Sequence, residues 1–232
     1  MSTYHLSNRN LVLCEGKQWN GLPLQEKYSP FILSYLESML SIFKNAIIIM
    51  QRVCVIRFDL HLPDSYIDNS SVISRFTSSL KAQLEANYQQ RLRTNPKAHH
   101  SKLGYIWTRE YGINNKPHYH LVILLNADAY GTLGTIPLLN TINSQQFTAD
   151  NMACRIMKAW ASALQVNIID AYKLVHFPEK CNYRIGIFQG VLDIAGFENM
   201  FHRMSYLAKA NTKEFGNHQR NFGTSQLMIE RN

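Results

Sequence analysis

Residues 103–126 read LGYIWTREYGINNKPHYHLVILLN. An aromatic and apolar run, LGYIWTREYG, and a second run, HYHLVILLN, flank the connection GINNKP, whose Gly, Asn-Asn and Pro are turn-forming residues. The stretch predicts two strands folded against each other as a hairpin. Side chains alternate along a strand, so His118 and His120 point to one face while Tyr119, Leu121, Ile123 and Leu125 point to the other. A strand apolar on both faces belongs in the middle of a sheet, where an imidazole costs desolvation unless it has a partner. Two imidazoles one residue apart can ligate a single divalent ion, or they can simply be hydrogen-bonded. Glu110 tips the balance. Folding the hairpin around 112–117 lands it opposite His118 to His120, within about one register step. Two histidines and a carboxylate with open positions suit Mg²⁺ or Mn²⁺.

Outward from the hairpin, the chain alternates strand and helix periodicity. Upstream, IIIMQRVCVIRFDLHL (47–62) is β-branched, ends at Pro63 and predicts a long strand, with Val53, Val55, Arg57, Asp59 and His61 on one face. SSVISRFTSSLKAQLEANYQQRLR predicts an amphipathic helix with Ile73, Phe76, Leu80, Leu84 and Tyr88 on its apolar stripe, followed by the basic loop RLRTNPKAHHSK. Downstream, FTADNMACRIMKAWASALQV predicts a helix, with Thr148 as a candidate N-cap and Asn151 at a helix-start position. KLVHFPEKCNYRIGIFQG predicts short strands, and AGFENMFHRMSYLAKANTKEFG a last helix stopped by Gly216. Near the start, PFILSYLESMLSIFKN has helical spacing, with Ser29-Pro30 at its entry. The expected architecture is α+β, a central antiparallel β-sheet flanked by helices. It divides into an N-terminal helical appendage (1–45), a main domain (46–216) and a loose tail (217–232).

The chain has 232 residues, 46% of them apolar and 17% charged, which supplies a core and excludes global disorder. A net charge of +8 points to nucleic acid or another anionic partner. The four cysteines form no CxxC pair and match no zinc spacing. With no secretory leader pattern and no apolar run expected to span a bilayer, the reading is a cytoplasmic protein with free thiols and no membrane partner.

In the predicted last helix, Tyr206 and Lys209 are three residues apart and share a face, with His202 and Lys213 on the same side. Phe197, Met200, Phe201, Met204 and Leu207 form the opposite stripe. Ammonium groups beside a phenol favour phenolate and can hold a phosphate; a tyrosine on a solvated helix face is the plainer alternative.

A strand with His-Tyr-His, a preceding Glu and a later Tyr-x-x-Lys resembles the HUH endonuclease superfamily, in the motif order of its replication initiators. The strings RFDLHLP, WTREYG, HYHLVILLN and SYLAKANTKE resemble more closely the YagK/YfjJ C-terminal domain, a group that includes replication proteins of filamentous phages and prophage elements; the resemblance spans Ile47 to Phe215. It implies a Rep-like fold with a ferredoxin- or RRM-like core. It also implies Mg²⁺ or Mn²⁺ held by Glu110, His118 and His120, attack by Tyr206 on single-stranded or hairpin origin DNA, and Lys209 at the phosphate. The product is a 5′-phosphotyrosine. The implied role is initiation of rolling-circle replication in the cytoplasm of a bacterial host, for a phage or mobile element.

Position 210 is Ala, so no second tyrosine follows in a YxxxY pattern, and a second cleavage then needs another nucleophile or another subunit of a homo-oligomer. No GxxxxGK[ST] stretch is present, so unwinding falls to a host helicase. Asp59 and His61 are ligands, supports of the ligands, or surface groups; His202 is a further candidate support. Arg91, Arg93, Lys97, Lys102, Lys116 and Lys213 suit phosphate contacts, and Tyr105, Trp107 and Tyr111 could stack on bases, though each alone also reads as a solvated charge or a core aromatic. Three other functions compete with the nickase: an idle origin-binding protein or repressor of the same fold, a transposase or relaxase, and a metal-dependent hydrolase with no covalent step.

Overall fold

The computed structural model describes residues 3–66, 71–112, 116–137, 150–217 and 219–226. In chain order, β1 (Thr3–His5) and β2 (Asn8–Cys14) form a hairpin, β3 (Gln18–Trp19) pairs with β4 (Leu22–Pro23), and β5 (Phe31–Ile32) adds to β2. Helix α1 spans Leu33–Met50 and leads into β6 (Arg52–His61). Helix α2 (Ser71–Thr94) follows, then β7 (Gly104–Tyr111) and β8 (Pro117–Asn126). Helices α3 (Met152–Leu164) and α4 (Ile168–Lys173) precede β9 (Val175–His176), β10 (Asn182–Phe188) and β11 (Val191–Leu192). Helix α5 (Ile194–Met204), a 3-10 turn at Ser205–Ala208 and β12 (Phe222–Thr224) complete the chain.

The main sheet runs β11-β10-β6-β8-β7-β12, antiparallel throughout, with β9 also pairing with β6. Taking β6, β7, β8 and β10 as strands one to four, their spatial order is four-one-three-two. The first two are separated by α2 and the last two by α3, as a split βαβ arrangement requires. The α+β fold and its ferredoxin-like core are therefore as expected. Helices α2 and α3 cover one face, packing Phe76, Leu80, Ile156 and Trp160 on Phe58, Leu60, Leu121 and Ile123. The other face carries α1 and α5, with Phe43, Ala46, Met200 and Phe201 against Val53, Val55, Ile106 and Val122.

The structure departs from the sequence expectations in several places. Residues 47–50 are the last turn of α1 and not the start of a strand. Phe43, Ala46, Ile47 and Met50 continue the buried helical face, and that burial overrides the β preference of the isoleucines. Gln51 then reverses the chain with φ 60°, its N–H donating to the Ile47 carbonyl at 2.8 Å, and β6 begins. Helix α1 is long and apolar enough to cross a bilayer by length and composition. Here its buried side lies on the sheet and against α5, so residues 33–45 pack directly on the main domain. At its entry Ser29-Pro30 precedes β5, and Ile32 caps the helix without a side-chain bond. In α2 the stripe ends on Asn87, which donates to Asp150 and accepts from Tyr130, both at 2.9 Å; Tyr88 is only half-buried. The N-cap of α3 is Asn151, whose side chain accepts from Cys154 N–H; Thr148 lies outside the described residues.

The predicted last helix stops at Met204, well before Gly216. Past the 3-10 turn the backbone donors find partners outside any helix. Ala210 N–H donates to the Pro30 carbonyl at 2.8 Å, and Lys209 forms a bridge to Phe31 of β5. The apolar stripe of α5 is covered by α1 and the N-terminal strands, with Trp19 stacked on Phe201.

Candidate functional site

Three neighbouring strands bring the polar groups together at one end of the sheet, on the face that carries α1. In the β6–β8 register Asp59 stands opposite His120 and His61 opposite His118; in the β7–β8 register Glu110 stands opposite His118 and Thr108 opposite His120. Strand alternation alone puts all of these on one face. The neighbouring layer holds them in place: Trp160, on the far face, donates its indole N–H to the His61 carbonyl at 3.0 Å.

The ligand atoms of Glu110, His118 and His120 all lie within 4.8 Å of one another. His118 Nε2 and His120 Nε2 are 3.2 Å apart, and His120 Nε2 is 3.3 Å from Glu110 Oε2. Donors about 2.0–2.2 Å from one ion, at tetrahedral or right angles to each other, are separated by about 2.9–3.5 Å, so these spacings fit a shared cation. Two imidazole nitrogens facing each other also demand a proton or a metal between their lone pairs. His120 Nδ1 is 2.6 Å from Asp59 Oδ1, which fixes the tautomer and leaves Nε2 free to ligate. Asp59 is thus the carboxylate behind the histidine, touched on its other oxygen by His176 Nδ1 at 3.5 Å. His61 stacks on His118 with ring centroids 5.5 Å apart. The donor set fits a divalent ion.

Electrostatics follow from this packing. Burial opposes the charged form of Glu110, but the bond to His120 and the Lys213 and Lys209 ammonium groups outweigh it and hold the carboxyl well below its usual range. Asp59 is likewise pulled down, against its burial, mainly by His120. Burial and the neighbouring His120 push His118 down to about 4, while His120 is raised, because Asp59 and Glu110 outweigh its own burial. In the metal-free protein Asp59, Glu110 and His118 all bind protons more readily when unfolded. Stability should therefore rise between pH 3 and about 6 and fall off on the acid side. His120 acts oppositely, its contribution fading as pH climbs past its raised value. Urea midpoints across pH 3–8 check this, and a flat profile below pH 6 would contradict it.

Tyr206 joins the cluster from the 3-10 turn. Its hydroxyl is 3.5 Å from His120 Nε2 and accepts from Lys209 Nζ at 2.5 Å, while the same ammonium sits 2.7 Å from Glu110 Oε2. The expected pairing of Tyr206 with Lys209 holds, although it is a 3-10 turn that brings them together. The phenol is pushed up by burial, more than Lys209 pulls it down, so the expected bias toward phenolate is not met without a metal. Residues 18–32 position this turn. Ser205 Oγ accepts from Gln25 N–H at 3.1 Å, Gln25 Nε2 donates to the Arg203 carbonyl at 2.9 Å, and the Tyr28 ring meets the Tyr206 ring edge-on at 4.7 Å. Nothing in the local sequence signals a contact between residues so far apart.

The remaining candidates scatter. Lys213 is buried beneath the site and donates to Glu110 Oε1 at 3.1 Å and to the Lys209 carbonyl at 2.5 Å, so it is an internal counter-charge and offers no surface to DNA. Thr212 also reaches Glu110, Oγ1 to Oε2 at 2.9 Å, after Tyr111 N–H fixes the Thr212 carbonyl at 3.1 Å. Arg93, Lys97 and Lys102 are exposed on the 91–102 region, which bonds to the far end of β8 through Ser101 and Asn126, away from the histidines. Arg91 is anchored there on the Ala129 and His99 carbonyls. Lys116 is exposed beside His118 and pairs with Asp64. Tyr105 and Tyr111 are half-buried and Trp107 is buried in the core. His202 sits in the last turn of α5, where its carbonyl accepts from Ser205 Oγ at 2.7 Å; among the described residues its ring makes no bond to the cluster. Asp59→Asn should weaken Mn²⁺ binding about 10- to 100-fold without unfolding the protein, because it removes the carboxylate behind His120. Calorimetric titration reads this directly, and unchanged affinity would mean that His120 needs no such support.

The model of the YagK/YfjJ C-terminal domain family matches residues 14–225, so the match begins well inside the N-terminal segment. Over 195 residues the chain is 35% identical to the uncharacterized protein YagK of Escherichia coli strain K12, covering 77% of this chain and 85% of that protein. It is also 35% identical over 187 residues to the uncharacterized protein YfjJ of the same strain, covering 74% and 84%. No solved structure matches.

Proposed function

The chain belongs to the YagK/YfjJ C-terminal domain family, and from that premise we propose that it is a nickase of the HUH endonuclease type, opening single-stranded or hairpin origin DNA to start rolling-circle replication of a phage-like or mobile element. One observation carries the reading: a tyrosine oxygen stands 3.5 Å from a histidine nitrogen of a two-histidine, one-carboxylate cluster, with a lysine bonded to that same oxygen. A purely structural ion cluster has no need of a phenol at its centre.

Glu110, His118 and His120 would hold the ion, Mn²⁺ or Mg²⁺, with the two nitrogen donors favouring Mn²⁺. The chemistry such an ion would supply there is polarisation of the scissile phosphate and offset of transition-state charge. Lys209 aligns Tyr206 and favours its phenolate as the proton departs to solvent. The phenolate oxygen attacks phosphorus, the bond from phosphorus to the 3′-oxygen breaks, and the 3′-oxygen leaves as a hydroxyl after taking a proton. The 5′-phosphate stays on Tyr206, conserving the phosphodiester for rejoining by the reverse step. Unwinding falls to a host helicase in the bacterial cytoplasm. With one tyrosine in the motif, a second cleavage draws on another subunit or another nucleophile.

The experiment is a pool of oligonucleotides from the protein's own element, labelled at either end and incubated with Mn²⁺ or with a chelator. The expected result is a protein adduct on the 3′ fragment alone, and only with metal. Binding without cleavage would favour the idle origin-binding protein, and cleavage without an adduct would favour plain hydrolysis.

A further inference from the structure

Arg57 lies on the same face of β6 as Asp59 and His61, and its guanidinium carbon sits 4.7 Å from the centre of the Tyr206 ring. Only 14% of its side chain is exposed. Among the described residues its neighbouring carboxylate oxygen is Asp59 Oδ1, 4.0 Å away and already bonded to His120 at 2.6 Å. Nε is buried without a hydrogen-bond partner, and the nearest carboxylate to Nη2 stands beyond hydrogen-bond distance. A largely enclosed cation with a donor left unpartnered gains by an anion that completes it. The charge balance agrees. With the histidines neutral, Arg57, Lys209 and Lys213 face, among the described residues, Asp59 and Glu110, so one positive charge remains even before a divalent ion is added.

We infer that Arg57 is a phosphate-binding residue, its fork of donors taking the non-bridging oxygens of the phosphodiester presented to Tyr206. The planar guanidinium matches that geometry with two parallel bonds, which a lysine ammonium cannot supply. Stacked against the Tyr206 ring, the fork approaches the phosphate from the nucleophile's own side, where it would both orient phosphorus and draw charge from the developing transition state. The inference rests on the nickase reading for its substrate but not for its anion.

Two measurements separate them. The first is adduct formation in Mn²⁺ by the full chain, with Arg57→Ala and Arg57→Lys beside the wild type. Arg57→Ala should slow it about 100-fold or more and Arg57→Lys nearly as much, with added methylguanidinium restoring part of the alanine variant's rate. A variant within threefold of the wild type, or a loss that methylguanidinium leaves untouched while the melting temperature drops, would overturn the assignment and leave Arg57 as packing for the Tyr206 ring. The second is calorimetric binding of inorganic phosphate to the metal-free protein, expected to weaken at least tenfold in Arg57→Ala. Equal binding by both proteins would overturn the anion site whatever the DNA assay gives. No adduct from the wild type, with phosphate binding still dependent on Arg57, would instead sink the nickase reading and keep the anion site.

Discussion

Tyr206→Phe should reduce covalent adduct formation on the order of 10³-fold or more while leaving the fold and the affinity for Mn²⁺ in place. The substitution removes one oxygen and nothing else. The ring keeps its edge contact with Tyr28, its place under Arg57 and the Lys209 ammonium 3.7 Å from its centre. Lys209 keeps Glu110 at 2.7 Å, so no buried ammonium is orphaned and the stability cost is that of one hydrogen bond, about 0.5–1.5 kcal/mol. The ligating groups of Glu110, His118 and His120 are untouched. Denaturing gels of labelled DNA read the adduct, and calorimetry with Mn²⁺ reads the site. An adduct that survives in Tyr206→Phe would move the nucleophile elsewhere, and Tyr28 would be the first residue to examine.

Glu110→Ala should destabilise the protein by about 3–5 kcal/mol, the largest effect expected at any single site in the cluster. Its side chain is 1% exposed and neutralises two ammonium groups, Lys209 at 2.7 Å and Lys213 at 3.1 Å, with a further bond from Thr212. Taking it away leaves two cations in a place water does not reach, Lys213 being wholly enclosed. For a domain stable by about 5–15 kcal/mol such a loss is close to unfolding, so urea titration is best run on Glu110→Gln beside it. The double variant Glu110→Ala, Lys213→Met should recover much of the loss, since it removes a stranded charge along with its partner. A single-variant loss below about 1 kcal/mol would show that water or a counter-ion already screens the pair. The burial that makes Glu110 structurally expensive to remove also withholds it from the solvent a hard cation would otherwise prefer. Its role as internal counter-charge and its proposed role as ligand are therefore read separately, by urea and by metal affinity.

The hairpin, the faces of β6 and β8, and the grouping of Glu110 with His118 and His120 were legible because each depends on alternation within a strand or on a short connection. Asp59 beside His120 came within reach for the same reason: period-two spacing puts it on the ligand face, and pairing of two long strands does the rest. Arg57 carried the same signal, two residues upstream, but only its unpartnered Nε and its place against the Tyr206 ring mark it out. Lys213 shows the opposite failure. Helical counting from Tyr206 put it on the right side of a helix that ends nine residues earlier, and it arrives at Glu110 through a turn in which Thr212 has φ 76°.

What the amino-acid order determined alone was local: strand alternation, helical stripes and the pairing of β7 with β8 across a short connection, and therefore the α+β class and the donor set of the cluster. These follow from steric and hydrophobic preferences acting over a few residues. Tertiary structure alone decided where α5 ends, that Gln25 and Tyr28 brace a turn about 180 residues away, and that Arg57 rests on the Tyr206 ring with its Nε unpartnered. Each of those depends on backbone donors and apolar faces finding partners across the chain. Ala210 N–H bonds to the Pro30 carbonyl just before β5, and no short window of sequence contains both.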